Sequence, residues 1–463
     1  MAQGKKVTIT GMVMDTNGEP VIGANVVEKG TTNGTITDID GKYTLDNVSG
    51  KSLLVSYIGY ISQEVTVRDG PPVNVKLLEY IQKLEEVVVI GYGIQKKVNL
   101  TGSVSSVSAE EIQDTPASSL SNALVGKIAG VLLTQSGGKP GASSDMTVRA
   151  KGTWNDTEPL YVIDGIIRDK FAFDGLDASE VENLSVLKDG ASAAIYGSRS
   201  SGGVVIVTTK KGKLGKPTIN YSYGFSVATR TKSYDLTDGV QTAEIYNRVN
   251  PESTSKWTQE EIDHMRTINN GYGYNQLDEV YQNPTTQTHN INISGGNDRI
   301  HYFGAASYMK QEGFLAPLTY DKYNIRMNVT ADVTDDFELY TGFSLTNDKI
   351  GRIASDGTDW AYDTYGKLRI WQPEQPVFTD SGKFMDYGWI GNVGARVSGA
   401  DGYRYDKRLN PRFTVKGTYK MPFLKGLSAS IQYNKTWTHN TVNGYYTNYD
   451  MYITKHSGAN GRI

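Results

Sequence analysis

The chain has 463 residues, no cysteine, and 47 basic against 50 acidic residues, for a net charge of −3. This excludes disulfides, thiolate nucleophiles and zinc–thiolate sites, and leaves no basic field of the kind that binds nucleic acid. Fifty glycines and 30 tyrosines point to β structure, and the lack of any apolar run near the roughly 18 residues of a membrane helix excludes a helical membrane protein, though not a membrane β-barrel.

Residues 1–79 read as one small all-β domain. The opening MAQGKKVTITG carries no apolar signal-peptide core, so a signal is expected to be absent from this chain. Strand candidates follow in VTITGMV, NVVEKGT, GTITDIDGKYTL, KSLLVSYIGY, SQEVTV and VNVKLL, divided by turns such as Asn33-Gly34 and Asp40-Gly41. This spacing predicts a β-sandwich of about seven strands. The run from Asp38 to Gly41 begins like a calcium loop, but Lys42 and Ser49 occupy ligand positions, so a hairpin turn is the reading.

Residues 80–100 form a charged linker containing EEVVVIGYG. Alone, Val87 to Ile90 is a short buried-strand pattern, yet the polar IQKKVNLTGS after it offers no evident hairpin partner. Residues 101–214 mix strands with short helices, as one α+β domain. SAEEIQD starts like a capped helix, with Ser108 as the cap and Glu111 three residues on. ASSLSNALVGKIAG places Leu120, Leu124 and Ile128 at helical spacing before Gly130. PLYVIDGIIR is a strand broken at Asp164-Gly165, and GVVIVTTKKG is a buried strand.

From residue 215 the pattern becomes a long alternation. Tyr323, Ile325, Met327 and Val329 oppose Asn324, Arg326, Asn328 and Thr330, and similar runs begin at Pro217, Phe337 and Leu427. Runs of about ten residues, tilted near 45°, span roughly 23 Å, which matches the apolar band of an outer-membrane barrel. Soluble strands average about five or six residues, so a membrane barrel with a wet polar lumen is preferred to a soluble sheet. About eight strands are expected, with short turns near 295–299 and 333–336 and long loops at 235–285 and 347–410.

Three segments resemble the SusC-type (SusC/RagA) TonB-dependent outer-membrane transporters of the Bacteroidetes. The N-terminal domain is similar to their carboxypeptidase-regulatory-like domain, and EEVVVIGYGIQKKVNLTGSVSSV to their TonB-box region. LVGKIAGVLLTQSGGKPGASSDMTVRAKGT, PLYVIDG and VLKDGASAAIYGSRSSGGVVIVTTKKG are similar to their plug signature. Two departures stand out: Ala150 follows Arg149 where the family has Gly, and Asp189-Gly190 replaces Asp-Ala.

The resemblance implies a mainly β chain: a β-sandwich, an α+β plug, and the first strands of a transmembrane antiparallel barrel that has about 22 strands in the family. The chain is accordingly expected to be the N-terminal half of a longer protein or a truncated relic. The implied function is active import of a glycan or peptide nutrient under a SusD-like lipoprotein lid, powered by TonB with ExbB and ExbD, with the sandwich in the periplasm and the barrel in outer-membrane lipid. Glu86, Val87, Val88, Val89, Ile90, Gly91 and Tyr92 are the implied TonB box, a donor strand for TonB, with Gly91 and Gly93 as hinges or a plain strand end. Arg149, Gly152, Asp164, Gly165, Lys188, Asp189, Tyr196, Gly197 and Arg199 are the plug-motif residues. Arg149, Arg168, Arg199, Lys210, Lys211, Asp164 and Asp189 are candidate ionic contacts to the wall, or else solvated surface charges.

No cofactor or metal is expected. The five histidines form no H-E-x-x-H pair, no G-x-S-x-G elbow occurs, and GSRSSGG lacks the phosphate-loop Lys-Ser/Thr ending, so an enzyme is not expected. The alternative is a surface adhesion or binding protein built from β-sandwiches, which leaves the plug motifs unexplained.

Overall fold

The computed structural model describes all residues except 1–6, 16–17, 50–51, 58–59, 61, 68–71, 79–86, 91–92, 97–103, 114–116, 136, 149–157, 233–236, 356–363, 370–375, 380, 387–390, 425 and 453–463. Glu86, Gly91, Tyr92, Arg149, Ala150 and Gly152 therefore lie outside the described residues. The chain divides into two units, Met1–Val87 and Val88–Ile463.

In the first unit, alternating short runs give strands β1 (Val7–Met14), β2 (Asn25–Glu28), β3 (Gly34–Ile36), β4 (Lys42–Val48), β5 (Ser52–Ser56), β6 (Gln63–Thr66) and β7 (Val75–Lys76). They form two sheets, ordered β4-β1-β7 and β3-β2-β5-β6, as expected of a seven-stranded sandwich. The inward residue of each pair feeds one aliphatic core that includes Val13, Val26, Leu45, Leu53 and Val55. Gly11 is required by close approach, because a Cβ there would lie 2.0 Å from the Val73 carbonyl oxygen. Asp38 makes the turn that was read from sequence: its Oδ1 accepts from the backbone N–H of Asp40 at 3.0 Å and of Lys42 at 2.8 Å. Buried Glu28 accepts from the Ser49 N–H, the Ser49 hydroxyl and the Asn33 amide, tying β2 to the end of β4.

Strand β8 (Val87–Ile90) does have a partner. It pairs with β9 (Gly93–Lys96) in a two-stranded sheet, which corrects the expectation of none. Only two positions separate the strands, the length a tight hairpin takes, and the polar composition of β9 hid it.

The plug contains β10 (Val104–Ser108), α1 (Ala109–Gln113), α2 (Leu120–Ala123), β11 (Val131–Gln135), β12 (Ser144–Val148), β13 (Leu160–Ile163), β14 (Ile166–Arg168), α3 (Lys170–Asp174), β15 (Val181–Leu187), α4 (Gly190–Ala193) and β16 (Val204–Thr209). Its main sheet runs β10-β15-β16-β13-β14, with β13 and β16 parallel and the other pairs antiparallel. The helix read over 117–130 is only one turn long. Ser119 caps it by accepting from the Asn122 N–H, and Gly126 at φ 76° stops the helical path. Leu120, Leu124 and Ile128 nevertheless all reach the same core. Asp164 at φ 50° and Gly165 at φ 80° turn β13 back into β14, a geometry that favours this Asp-Gly pair.

The wall is an antiparallel sheet of β17 (Gly215–Val227), β18 (Thr285–Gly296), β19 (Ile300–Glu312), β20 (Thr319–Thr334), β21 (Phe337–Arg352), β22 (Gly402–Lys420), β23 (Ser428–Thr436) and β24 (His439–Tyr446). Both β23 and β24 pair with β22, and the register runs on unshifted from Arg412↔Thr436 to Leu409↔His439. Between them the Trp437 N–H donates to the Pro411 carbonyl, but Pro411 has no N–H to return. The two lie end to end in one register, so the eight described strands, the number expected, make seven spans.

The spans reach 12 to 19 residues, longer than the ten-residue alternations. Beyond the apolar stretch they continue as charged backbone-paired extensions, where Arg408 makes a bidentate pair with Asp348 and Arg352 pairs with Asp406. The loop at 228–284 holds α5 (Gly239–Val249), α6 (Gln259–Thr267) and α7 (Gln276–Val280), and 353–401 holds α8 (Thr364–Arg369) and α9 (Val393–Ser398). Helix α6 opens with a capping box between Thr258 and Glu261, and α5 and α6 share a small core of Ala243, Trp257, Ile262 and Met265.

Candidate functional site at the junction of plug and wall

Alternation on β20 sorts its side chains by face. Tyr323, Ile325, Met327 and Val329 are 49, 38, 58 and 39% exposed, whereas Lys322, Asn324, Arg326 and Asn328 between them are 3, 3, 7 and 2% exposed. The inward four meet the plug rather than a wet lumen. Lys322 Nζ donates to the Ser118 carbonyl at 3.3 Å, Asn324 Nδ2 to the Gly175 carbonyl at 2.8 Å, and Asn328 Nδ2 to the Lys210 carbonyl at 2.9 Å. Arg326 Nε donates to Glu180 Oε2 at 2.6 Å.

The carbonyl acceptors sit at the margins of plug elements. Gly175 caps the C-terminus of α3, Lys210 follows β16, and Ser118 precedes α2. A helix leaves its last carbonyls without intrahelical partners, and at Gly175 the wall supplies one. Each neutral bond is worth about 0.5–1.5 kcal/mol net.

The ionic member differs in kind. Glu180 closes a short turn before β15 and is 3% exposed, so burial pushes its carboxyl up while the Arg326 guanidinium pulls it back. Asp164 Oδ2 stands 3.9 Å from Arg326 Nη1, and the carboxylate accepts from the Thr209 N–H at 2.9 Å and the Thr209 hydroxyl at 2.8 Å. Arg168 Nη1 donates to Thr436 Oγ1 on β23 at 2.7 Å. The Lys211 ammonium lies 5.8 Å from the Tyr340 ring centre. At the exit from the plug, a Cβ on Gly212 would lie 2.2 Å from the Tyr302 nitrogen, so only glycine passes.

The other sequence-predicted residues serve the plug itself. Lys188 Nζ donates to Ser105 Oγ at 2.7 Å and to the Ala129 carbonyl at 2.9 Å. Asp189 is a helix cap: its Oδ1 accepts from the Ser192 N–H at the start of α4. Tyr196 is buried with Val162, Leu187, Val204 and Ile206. Gly197 has φ 72° and ψ −160°, a region that essentially only glycine occupies. Arg199 is exposed, and no ion pair joins it to the wall among the described residues. The sequence reading missed Glu180, Lys322, Asn324 and Asn328 as contacts. The inward alternation of β20 was visible, but nothing in the sequence named what it faced. Among the described residues no group of three or more His, Asp or Glu could hold a metal ion.

Residues 9–89 match the CarboxypepD_reg-like domain family and residues 96–204 the TonB-dependent Receptor Plug Domain. The chain is 33% identical over 393 residues to the TonB-dependent receptor SusC of Bacteroides thetaiotaomicron, covering 83% of this chain and 37% of that protein. It is 34% identical over 376 residues to the TonB-dependent receptor P26 of Formosa agariphila, covering 80% and 36%. Among solved structures, the RagAB peptide importer in its open-open state superposes with a TM-score of 0.66 at 22% identity, over 78% of this chain and 43% of that one, which shows a shared fold. The chain thus spans a little over a third of the length of the curated relatives it matches.

Proposed function

We propose that this chain, which belongs to the SusC-type TonB-dependent receptors, supplies the gate and the energy-coupling segment of an outer-membrane nutrient importer. The observation that carries this reading is the buried row of donors on β20, which holds an α+β domain against the inner face of a barrel wall. A domain gripped by a few polar bonds and the ion pairs of Arg326 can be released without dismantling a hydrocarbon core. An adhesion protein built from sheets has no use for such an arrangement.

In this reading a glycan or peptide binds from outside under a SusD-like lipoprotein, and the sandwich lies in the periplasm. The TonB box from Glu86 to Tyr92 engages TonB, which is energised through ExbB and ExbD. Among the described residues β8 pairs with β9 alone, which leaves one edge for strand addition, where backbone hydrogen bonds supply the affinity. This chain contributes no covalent chemistry to the cycle. In the intact receptor Val88→Pro removes a donor needed for pairing, so uptake falls to background while surface level and ligand binding stay at wild type. Unchanged uptake would sink the donor-strand role.

A further inference from the structure

The junction carries a charge imbalance that the contacts above leave unresolved. A cavity of about 30 Å³ opens between the Asp164-Gly165 turn and β20–β22, and its lining includes Asp164, Arg168, Arg326, Tyr340 and Arg412. Three guanidinium groups there face one lining carboxylate. Arg326 is engaged by Glu180, Arg168 by Thr436, and both Asp164 oxygens by Thr209. Arg412 is 6% exposed, and its Nε donates to the Asn410 side-chain oxygen at 2.7 Å. Its Nη2 is buried with no hydrogen-bond partner. Asp169 contributes negative charge only from an exposed position, where it caps α3.

A buried charged donor without an acceptor is costly, and native proteins meet that demand with water or an ion. The space suits one or two waters or one small ion, since a water needs roughly 10–15 Å³ on this measure. We propose that the cavity binds a monovalent inorganic anion of chloride size, held by Arg412 Nη2 with the Arg168 and Arg326 guanidinium groups around it. Burial is what chiefly pushes Arg168 below the usual arginine range, with repulsion from Arg326 added against the pull of Asp169 and Asp164. An anion relieves that repulsion where a water does not. The site stands apart from import, because it asks only that plug and wall be docked.

The test is the melting midpoint of the full chain in detergent, titrated with chloride against gluconate at constant ionic strength. A saturable rise with chloride, matched by bromide and absent with gluconate, is expected. Arg412→Gln removes the saturable part, and Arg168→Gln weakens half-saturation at least tenfold. Crystals soaked in bromide show an anomalous peak in the cavity, a readout that does not need either variant to fold. No chloride-specific rise in the wild type, a rise unchanged in both variants, or bromide peaks only elsewhere overturns the proposal.

Discussion

The sandwich and the plug–wall junction are both buried, and they are built from opposite materials. The sandwich closes two sheets over an aliphatic core of residues such as Val13, Val26, Leu53 and Val55, all wholly inaccessible. The junction also buries Lys322, Asn324, Arg326 and Asn328, and each of the four donates one hydrogen bond to the plug. Hydrocarbon burial is non-directional and accumulates with area. Polar burial nets little per bond but penalises any partner left alone. The first kind of interior resists change everywhere. The second fixes one docked geometry and gives it up at a few points.

That contrast breaks most sharply at the ion pair. Arg326→Met leaves Glu180 buried without its partner and weakens docking by about 3–5 kcal/mol, read as faster hydrogen exchange in β15. The double variant Arg326→Met with Glu180→Leu recovers most of the loss, and a double as damaged as the single would refute the unpaired-charge account. In the sandwich, Leu53→Ala opens a cavity and lowers stability by about 2–4 kcal/mol, seen in denaturant unfolding of the first unit while exchange in β15 stays unchanged. No second substitution of the Glu180 kind restores it, because no partner is left stranded. The smallest effect belongs to a single neutral donor: Asn324→Ala costs about 1 kcal/mol, detected as a modest increase in exchange near Gly175. A loss there as large as at Arg326 would mean that the donors act as one unit.

How much of this was readable in the sequence depended on whether the signal was local. Turn chemistry was local: Asp38 holding its own loop and Asp164-Gly165 reversing β13 both follow from residue type. The alternation on β20 correctly divided inward from outward, since a strand offers only two faces. What those inward residues touch was not legible, because Ser118, Gly175, Glu180 and Lys210 are brought to β20 from more than 100 positions away. The count of eight strands was legible, but that the last two lie end to end along β22 was not, because the gap opposite Pro411 acts across a strand pair and not along the chain. Arg199 and Asp189 looked alike as charges in a motif, and only the fold turned one into a helix cap and left the other on the surface. The helices α5 and α6 were hidden inside a segment read only by its length.

One property of the β20 contacts bears on mechanics. Successive attachment points climb the strand by two residues, roughly 7 Å each. Their plug partners, Ser118, Gly175, Glu180 and Lys210, follow in the same order along the chain. A tension entering from the N-terminal side therefore meets the Lys322 tether first, and reaches the next only after the intervening chain has taken up the slack. The attachments are loaded in series, so the force needed is set by the strongest single tether and not by their sum. That tether is the third, Arg326 to Glu180, with Asn328 next along the strand.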